Sequence, residues 1–178
     1  MVWFVITVFA LAGMIKGTIG LGLPAVSMGL LTMVISPFQA ATLLIIPSMV
    51  TNIWQLFAEG RVLQLIRRFG LLLIGIIVGS IWSVFPTLGH SDFNSEALLG
   101  GMLALYGVYG LFAKSMPNLS KYENWLSPIM GYLGGALTVA TGVVVIPVVP
   151  YLQTLSLQRD DLVQSLGVAF TTSTICLA

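Results

Sequence analysis

From Gly17 to Ala58 the chain carries no charged side chain, and five further uncharged runs span 1–15, 69–89, 97–113, 124–158 and 162–178. A helix needs about 20 apolar residues to cross a hydrocarbon core about 30 Å thick, so runs of this kind are read as membrane segments. Composition agrees: 57% of the 178 residues are apolar and 7% are Asp, Glu, Lys or Arg, against roughly 25% charged in a soluble domain. So few charges cannot cover a water-soluble monomer, and the apolar content is too high for a disordered chain. The solvent is a lipid bilayer. A net charge of +1 offers no basic surface for nucleic acid. One cysteine, Cys176, excludes a disulfide framework, and one histidine, His90, leaves no pair for a catalytic zinc. Residues 1–15 lack the basic flank of a secretory leader, so the first segment is read as a retained span.

The spacing predicts helical segments near 2–35, 40–58, 69–88, 96–113, 125–152 and 162–178. That describes an all-α polytopic membrane protein with about six transmembrane segments. A turn at Ser36-Pro37-Phe38-Gln39 divides the longest run. The first segment is too long for one straight span. As continuous helix it would measure about 51 Å, and fitting it into the bilayer needs a tilt near ~54°, beyond the usual range of about 0–40°. It is expected to break at Gly20-Leu21-Gly22-Leu23-Pro24, where glycine frees the backbone and proline removes a donor. The fifth segment has the same problem, with Thr141-Gly142, Pro147 and Pro150 as its breakers. Irregular backbone at membrane depth persists only when buried in protein or lining a wet cavity. Two broken segments in matching positions point to a transport site.

Charge placement predicts orientation. Glu59, Arg61, Arg67 and Arg68 follow the second segment, and Lys114, Lys121 and Glu123 follow the fourth. The link between the third and fourth holds His90, Asp92 and Glu96 without Lys or Arg. By the positive-inside rule, links 59–68 and 114–123 are cytoplasmic in an inner-membrane, multi-pass protein. The two broken segments also align. Gly13 and Gly17 fall on Gly131 and Gly135, Ser36-Pro37 on Ser156-Leu157, and Thr51-Asn52 on Thr171-Thr172. Residues 1–120 are read as a first transmembrane repeat of four segments and 121–178 as the first half of a second. The second repeat is incomplete, so the chain reads as cut short. If each broken segment crosses once the copies are parallel; if each dips in and returns they are inverted.

The strings Gly17-Thr-Ile-Gly-Leu-Gly-Leu-Pro-Ala-Val-Ser-Met-Gly29 and Ala140-Thr-Gly-Val-Val-Val-Ile-Pro-Val-Val-Pro150 resemble the glycine-rich breaks of the TauE/SafE sulfite exporter family. Leu157-Gln-Arg-Asp-Asp-Leu-Val-Gln-Ser-Leu-Gly167 and Phe170-Thr-Thr-Ser-Thr174 are similar to its second repeat. The resemblance runs along the whole chain. It implies an inner-membrane carrier of two related halves, usually with seven or eight spans, for small sulfur-containing or organic anions. Two features depart from the pattern. A run of three glycines is Gly22-Leu23-Pro24 in one copy and Ala140-Thr141-Gly142 in the other, and the last two spans are missing.

Lys16 is the sharpest local signal. It lies about 22 Å along a helix that starts at the surface, where a lysine costs about 2.5–3.5 kcal/mol on insertion scales. Its charge beside Gly20, Gly22 and Pro24 would attract an anion; the plainer alternative is snorkelling to the nearer interface. Gly20, Gly22 and Pro24 in one copy, and Thr141 and Gly142 in the other, would expose backbone donors at half-helix N-termini. Thr51, Asn52, Thr171, Thr172 and Ser173 add donors without a trapping charge, although membrane Ser and Thr also bond their own i−4 carbonyls. Gly13/Gly17, Gly75/Gly79 and Gly131/Gly135 read as helix-packing pairs. Arg159, Asp160 and Asp161 read as an exposed cap, and the four tryptophans as an interfacial belt.

No P-loop, dinucleotide turn, HExxH or GxSxG is present, so an enzyme is not expected and no cofactor is implied. The sequence supports a secondary carrier for a small anion, with the lipid bilayer as its other partner and homo-oligomerisation left open. The alternative is a truncated, non-transporting membrane scaffold or remnant.

Overall fold

The structure, a computed structural model, describes residues 2–57, 60–88, 94–112 and 117–178. The expectations for Glu59, His90, Asp92 and Lys114 fall outside these residues. Within them the chain forms nine α-helices: α1 (Val2–Ile19), α2 (Leu23–Leu31), α3 (Pro37–Phe57), α4 (Val62–Arg68), α5 (Gly70–Ile81), α6 (Ser95–Phe112), α7 (Glu123–Thr141), α8 (Val145–Gln153) and α9 (Arg159–Leu177). Local chemistry sets several boundaries. Ser36 and Gln39 exchange side-chain and backbone hydrogen bonds at 3.4 Å ahead of α3, a capping box with Pro37 at the first helical position. Asn94 Oδ1 accepts the Ala97 N–H at 3.0 Å and opens α6. Asp160 and Asp161 occupy the first turn of α9, where negative charge favours the helix dipole.

Both long segments break where their glycines are. Gly20 and Gly22 have φ of 82° and 110°, and Gly142 has φ of 76°, a left-handed conformation that side chains with a Cβ rarely adopt. The chain then folds back instead of continuing across. A Cβ built on Gly134 of α7 would collide with Val148 of α8. The Leu119 N–H, just before α7, donates to Thr154 O, just after α8, at 3.1 Å. α7 and α8 therefore form a hairpin that enters and leaves at one end of the bundle. α1 and α2 form its counterpart: α2 returns alongside α1, and Val2 and Val5 at the start of α1 share a surface groove with Phe38 and Thr42 at the start of α3.

Hydrogen bonds orient the rest. α3 and α9 run antiparallel, with Asn52 bonded to Thr174, Gln55 to Val163 and Leu56 to Gln164. α5 and α7 run parallel, because Gly75 faces Pro128, Gly79 faces Tyr132 and the Leu88 N–H reaches Val139 O. One end of the bundle is thereby basic. Arg61 pairs with Asp161 at 3.1 Å, and Arg68 grips Glu123 through two 2.8 Å bonds. Lys121 and Arg159 belong to the same end by chain position. The α1–α2 hairpin starts at the opposite end and the α7–α8 hairpin at the basic end.

Of the six expected segments, the described residues match a part by length and apolarity. α1 and α3 are each long and apolar enough to cross a membrane, and α4 with α5, bent by 69°, makes a third such unit. The segments read as 2–35 and 125–152 fold back at their glycine breaks, the second of the two arrangements that the sequence left open. The tryptophans Trp3, Trp54, Trp82 and Trp125 all project outward, as an interfacial belt requires.

The glycine pairs differ in use. On Gly75, Gly79, Gly131 and Gly135 an added Cβ would press into backbone of the facing helix, so α5 and α7 touch main chain to main chain. Gly13 and Gly17 have nothing within 4 Å of an added Cβ, so the packing expected of that pair is not made. Gly79→Ala should therefore destabilise the protein by about 1–3 kcal/mol through overpacking, whereas Gly13→Ala should not. Thermal unfolding of the two variants in detergent checks this; equal melting temperatures would contradict the assigned α5–α7 contact.

Candidate functional site

The two breaks face one small cavity. Pro24 from the start of α2, and Gly142 and Val144 from the α7–α8 break, line it together with Ser48 and Asn52 of α3, Thr138 of α7, and Ser173 and Thr174 of α9. The α2 and α8 N-termini carry no side-chain cap, and helix starts leave N–H groups without intrahelical partners. The polar part of the wall is the hydroxyls of Ser48, Thr138, Ser173 and Thr174 and the amide of Asn52. Leu44, Phe170 and Leu177 complete the lining. The space open to the centre of a water-sized sphere is about 20 Å³, enough for roughly one water. A four-atom oxyanion needs the walls to part.

Lys16 stands behind this cavity. It is 6% exposed, and its Nζ donates to Thr51 Oγ1 at 2.9 Å and to Asn52 Oδ1. An ammonium has only donors, so it fixes the Asn52 amide with its oxygen toward Lys16 and its nitrogen toward the cavity. Asn52 Nδ2 spends one hydrogen on Thr174 Oγ1 at 3.3 Å and has a second available. Thr174 passes its own proton to Phe170 O at 2.7 Å. The Lys16 ammonium also lies 6.0 Å from the centroid of Phe170, a cavity residue. Among the described residues the ion pairs are Arg61–Asp161 and Arg68–Glu123, so no described carboxylate neutralises Lys16.

Several expected site residues are placed differently. Lys16 does not line the cavity and acts on it through Asn52. Thr51 accepts from Lys16 but faces away, donating to Pro47 O at 2.9 Å. Thr171 and Thr172 bond Gly167 O and Val168 O within α9 and are absent from the lining, which takes Ser173 and Thr174 instead. Thr141 is buried and bonds Leu137 O at 2.7 Å, so of that pair only Gly142 reaches the wall. Gly20 and Gly22 shape the first break, Gly20 by giving its carbonyl to Gln55 Nε2 at 2.8 Å, and Pro24 carries that break to the cavity. Sequence reasoning missed Ser48, Thr138 and Thr174. Ser48 lies four residues before Asn52, one helical turn away on the same face, and that spacing was the available signal.

A second cavity adjoins the first at the end of the bundle opposite the basic one. It shares Ala41, Ile45 and Leu177 with the central space and is otherwise lined by Thr42, Ser80, Thr87 and Cys176, among others. Its open volume is about 280 Å³.

The sequence matches the family described as sulfite exporter TauE/SafE over residues 5–178. No curated protein and no solved structure matches it. The match runs through both helix breaks and through every residue of the cavity between them, and the chain belongs to the sulfite exporter TauE/SafE family.

Proposed function

We propose that this chain carries a small sulfur oxyanion, sulfite or a sulfonate, across the inner membrane by alternating access at the cavity between the two breaks. The single observation that carries this reading is the charge of Lys16. A buried cation with no described carboxylate partner, one hydrogen bond removed from a cavity into which the Asn52 amide can donate, suits an anion far better than a cation or a neutral solute. Anion and lysine together cost less at membrane depth than the lysine alone. The donors come from neutral groups, so the anion is held without a contact ion pair and can leave.

The geometry also suits the mechanism. Two hairpins that enter from opposite ends support an inverted pair of repeats, residues 1–120 and 121–178, with the site at their meeting point. With the basic end cytoplasmic, the adjoining cavity is a vestibule from the far side, closed from the site by Ala41, Ile45 and Leu177. The Arg61–Asp161 and Arg68–Glu123 pairs then close the cytoplasmic side, and exchanging which side is open moves the anion. The alternative, a non-transporting scaffold, has one observation in its favour: the α1 face at Gly13 and Gly17 is uncovered.

Flux of sulfite into proteoliposomes tests the proposal. Asn52→Leu should lower the saturable rate by about tenfold or more, since it removes a cavity donor and strands the Lys16 ammonium without that acceptor. Thr171→Val, outside the lining, should stay within about twofold. No saturable flux in the unaltered chain, or equal flux in both variants, would refute the site.

Lys16 itself gives a separate check. Lys16→Met keeps the length of the side chain and removes its charge, so it should leave the helical content by circular dichroism unchanged and abolish saturable sulfite flux. Lys16→Arg should restore part of it. A Lys16→Met protein that transports at the unaltered rate would remove the charge from the mechanism.

A further inference from the structure

The polar groups of the cavity differ in what they have left to offer once their bonds within the protein are made. A hydroxyl holds one proton and two lone pairs. Thr138 Oγ1 donates to Gly134 O at 2.7 Å, and Thr174 Oγ1 to Phe170 O at 2.7 Å. With its own proton placed, Thr138 Oγ1 accepts from Ser173 Oγ at 3.2 Å. Three hydroxyls of the lining have therefore spent their protons and meet the cavity as acceptors. Ser173 keeps both lone pairs unused among the described residues. On the donor side, Asn52 Nδ2 has one hydrogen left after Thr174. The Ser48 hydroxyl, bonded to no described residue, turns either way. The helix starts add few donors, because Pro24 in α2 and Pro147 in α8 have no N–H. Such a wall suits an ion that brings a proton of its own.

Charge is equally selective. Lys16 supplies one positive charge behind the cavity, and no described carboxylate balances it. A singly charged anion brings the site to neutrality. A doubly charged one leaves net negative charge at membrane depth, with its oxygens against three acceptors. Sulfite near neutral pH is a mixture of the dianion and singly charged hydrogensulfite, which carries an O–H. We propose that the site selects hydrogensulfite over the sulfite dianion, an inference that rests on the reading of this cavity as the anion site. Asn52 donates to an unprotonated oxygen of the ion, and the ion's O–H donates to Ser173 Oγ.

The proton rides on the cargo because the cavity wall has no group to hold it. No lining residue titrates, and α2, α3 and α5 carry no titratable side chain. Lys16 of α1 also borders a surface groove with Gly13, Gly17, Thr51 and Trp54, none of which titrates. On α9, Arg159, Asp160 and Asp161 stand in the first turn at the basic end, and Cys176 lines the adjoining vestibule. On α7, Glu123 is held by Arg68 and Tyr132 bonds Trp82 O. Tyr151 of α8 bonds Ser127.

Calorimetric binding to the purified chain in detergent, in steps from about pH 6 to about pH 8, tests this with two ions. Chlorate is pyramidal and isoelectronic with the sulfite dianion but singly charged at every pH, and it has no O–H. Both ions should bind. The ratio of the dissociation constants, total sulfite over chlorate, should rise about tenfold per pH unit above the second ionisation of sulfurous acid. Any titration of Lys16 moves both ions alike and leaves that ratio unchanged. Ser173→Ala should weaken sulfite binding at the acid end about fivefold and leave chlorate within about twofold. A ratio that stays constant with pH, or a chain that binds sulfite but not chlorate, would overturn the proposal. Equal loss of both ions in Ser173→Ala would remove Ser173 as the acceptor of the ion's proton. Binding that follows the expected pattern in a chain without saturable sulfite flux would refute the transport reading and leave this one standing.

Discussion

Backbone polar groups freed inside a bilayer have no water to bond, and each one left unpaired costs several kcal/mol. The whole arrangement follows from that constraint. A chain that breaks two helices at Gly20–Gly22 and Gly142 must bring the breaks together and cover them with protein. It does so by folding each broken segment into a hairpin and crossing α3 and α9 between the hairpins. The breaks then share one small space, lined by Asn52, Ser173 and Thr174 among others.

The second constraint is the buried ammonium of Lys16. Its hydrogen bonds to Thr51 and Asn52 satisfy two of its donors without neutralising the charge. This leaves a standing positive potential behind the cavity and fixes the Asn52 amide so that a donor faces inward. In the proposed mechanism Lys16 is a positioning residue, and Asn52 is the group that touches the anion. The family gives the class of cargo, and this local electrostatics gives a physical reason why the cargo should be anionic.

Much of the fold was legible in the sequence because glycine and proline act locally. The breaks at Gly20–Pro24 and Thr141–Gly142, the turn at Ser36-Pro37, and the Gly75/Gly79 and Gly131/Gly135 contacts all depend on what a missing Cβ or a missing N–H permits at that position. Whether a broken segment crosses or returns was not legible, since a left-handed glycine allows either and contacts such as Gly134–Val148 decide. Which α9 residues face the cavity was not legible for a related reason. Aligning Thr171 and Thr172 with Thr51 and Asn52 compares positions in two copies, but α3 and α9 meet antiparallel, so the residues facing Asn52 are set by the crossing and include Thr174. Gly13 and Gly17 have the same spacing as the packed pairs, and spacing alone does not say whether a partner is present.

The central claim is that an oxyanion binds between the two breaks, beside Asn52. Selenite replaces sulfur by an anomalous scatterer in the same pyramidal oxyanion, and a crystal structure grown with it locates the ion directly. The account predicts a selenium peak in the cavity, within hydrogen-bonding reach of Asn52 and Ser173. A peak in the groove beside Lys16 or among the arginines of the basic end, with the cavity empty, would contradict it.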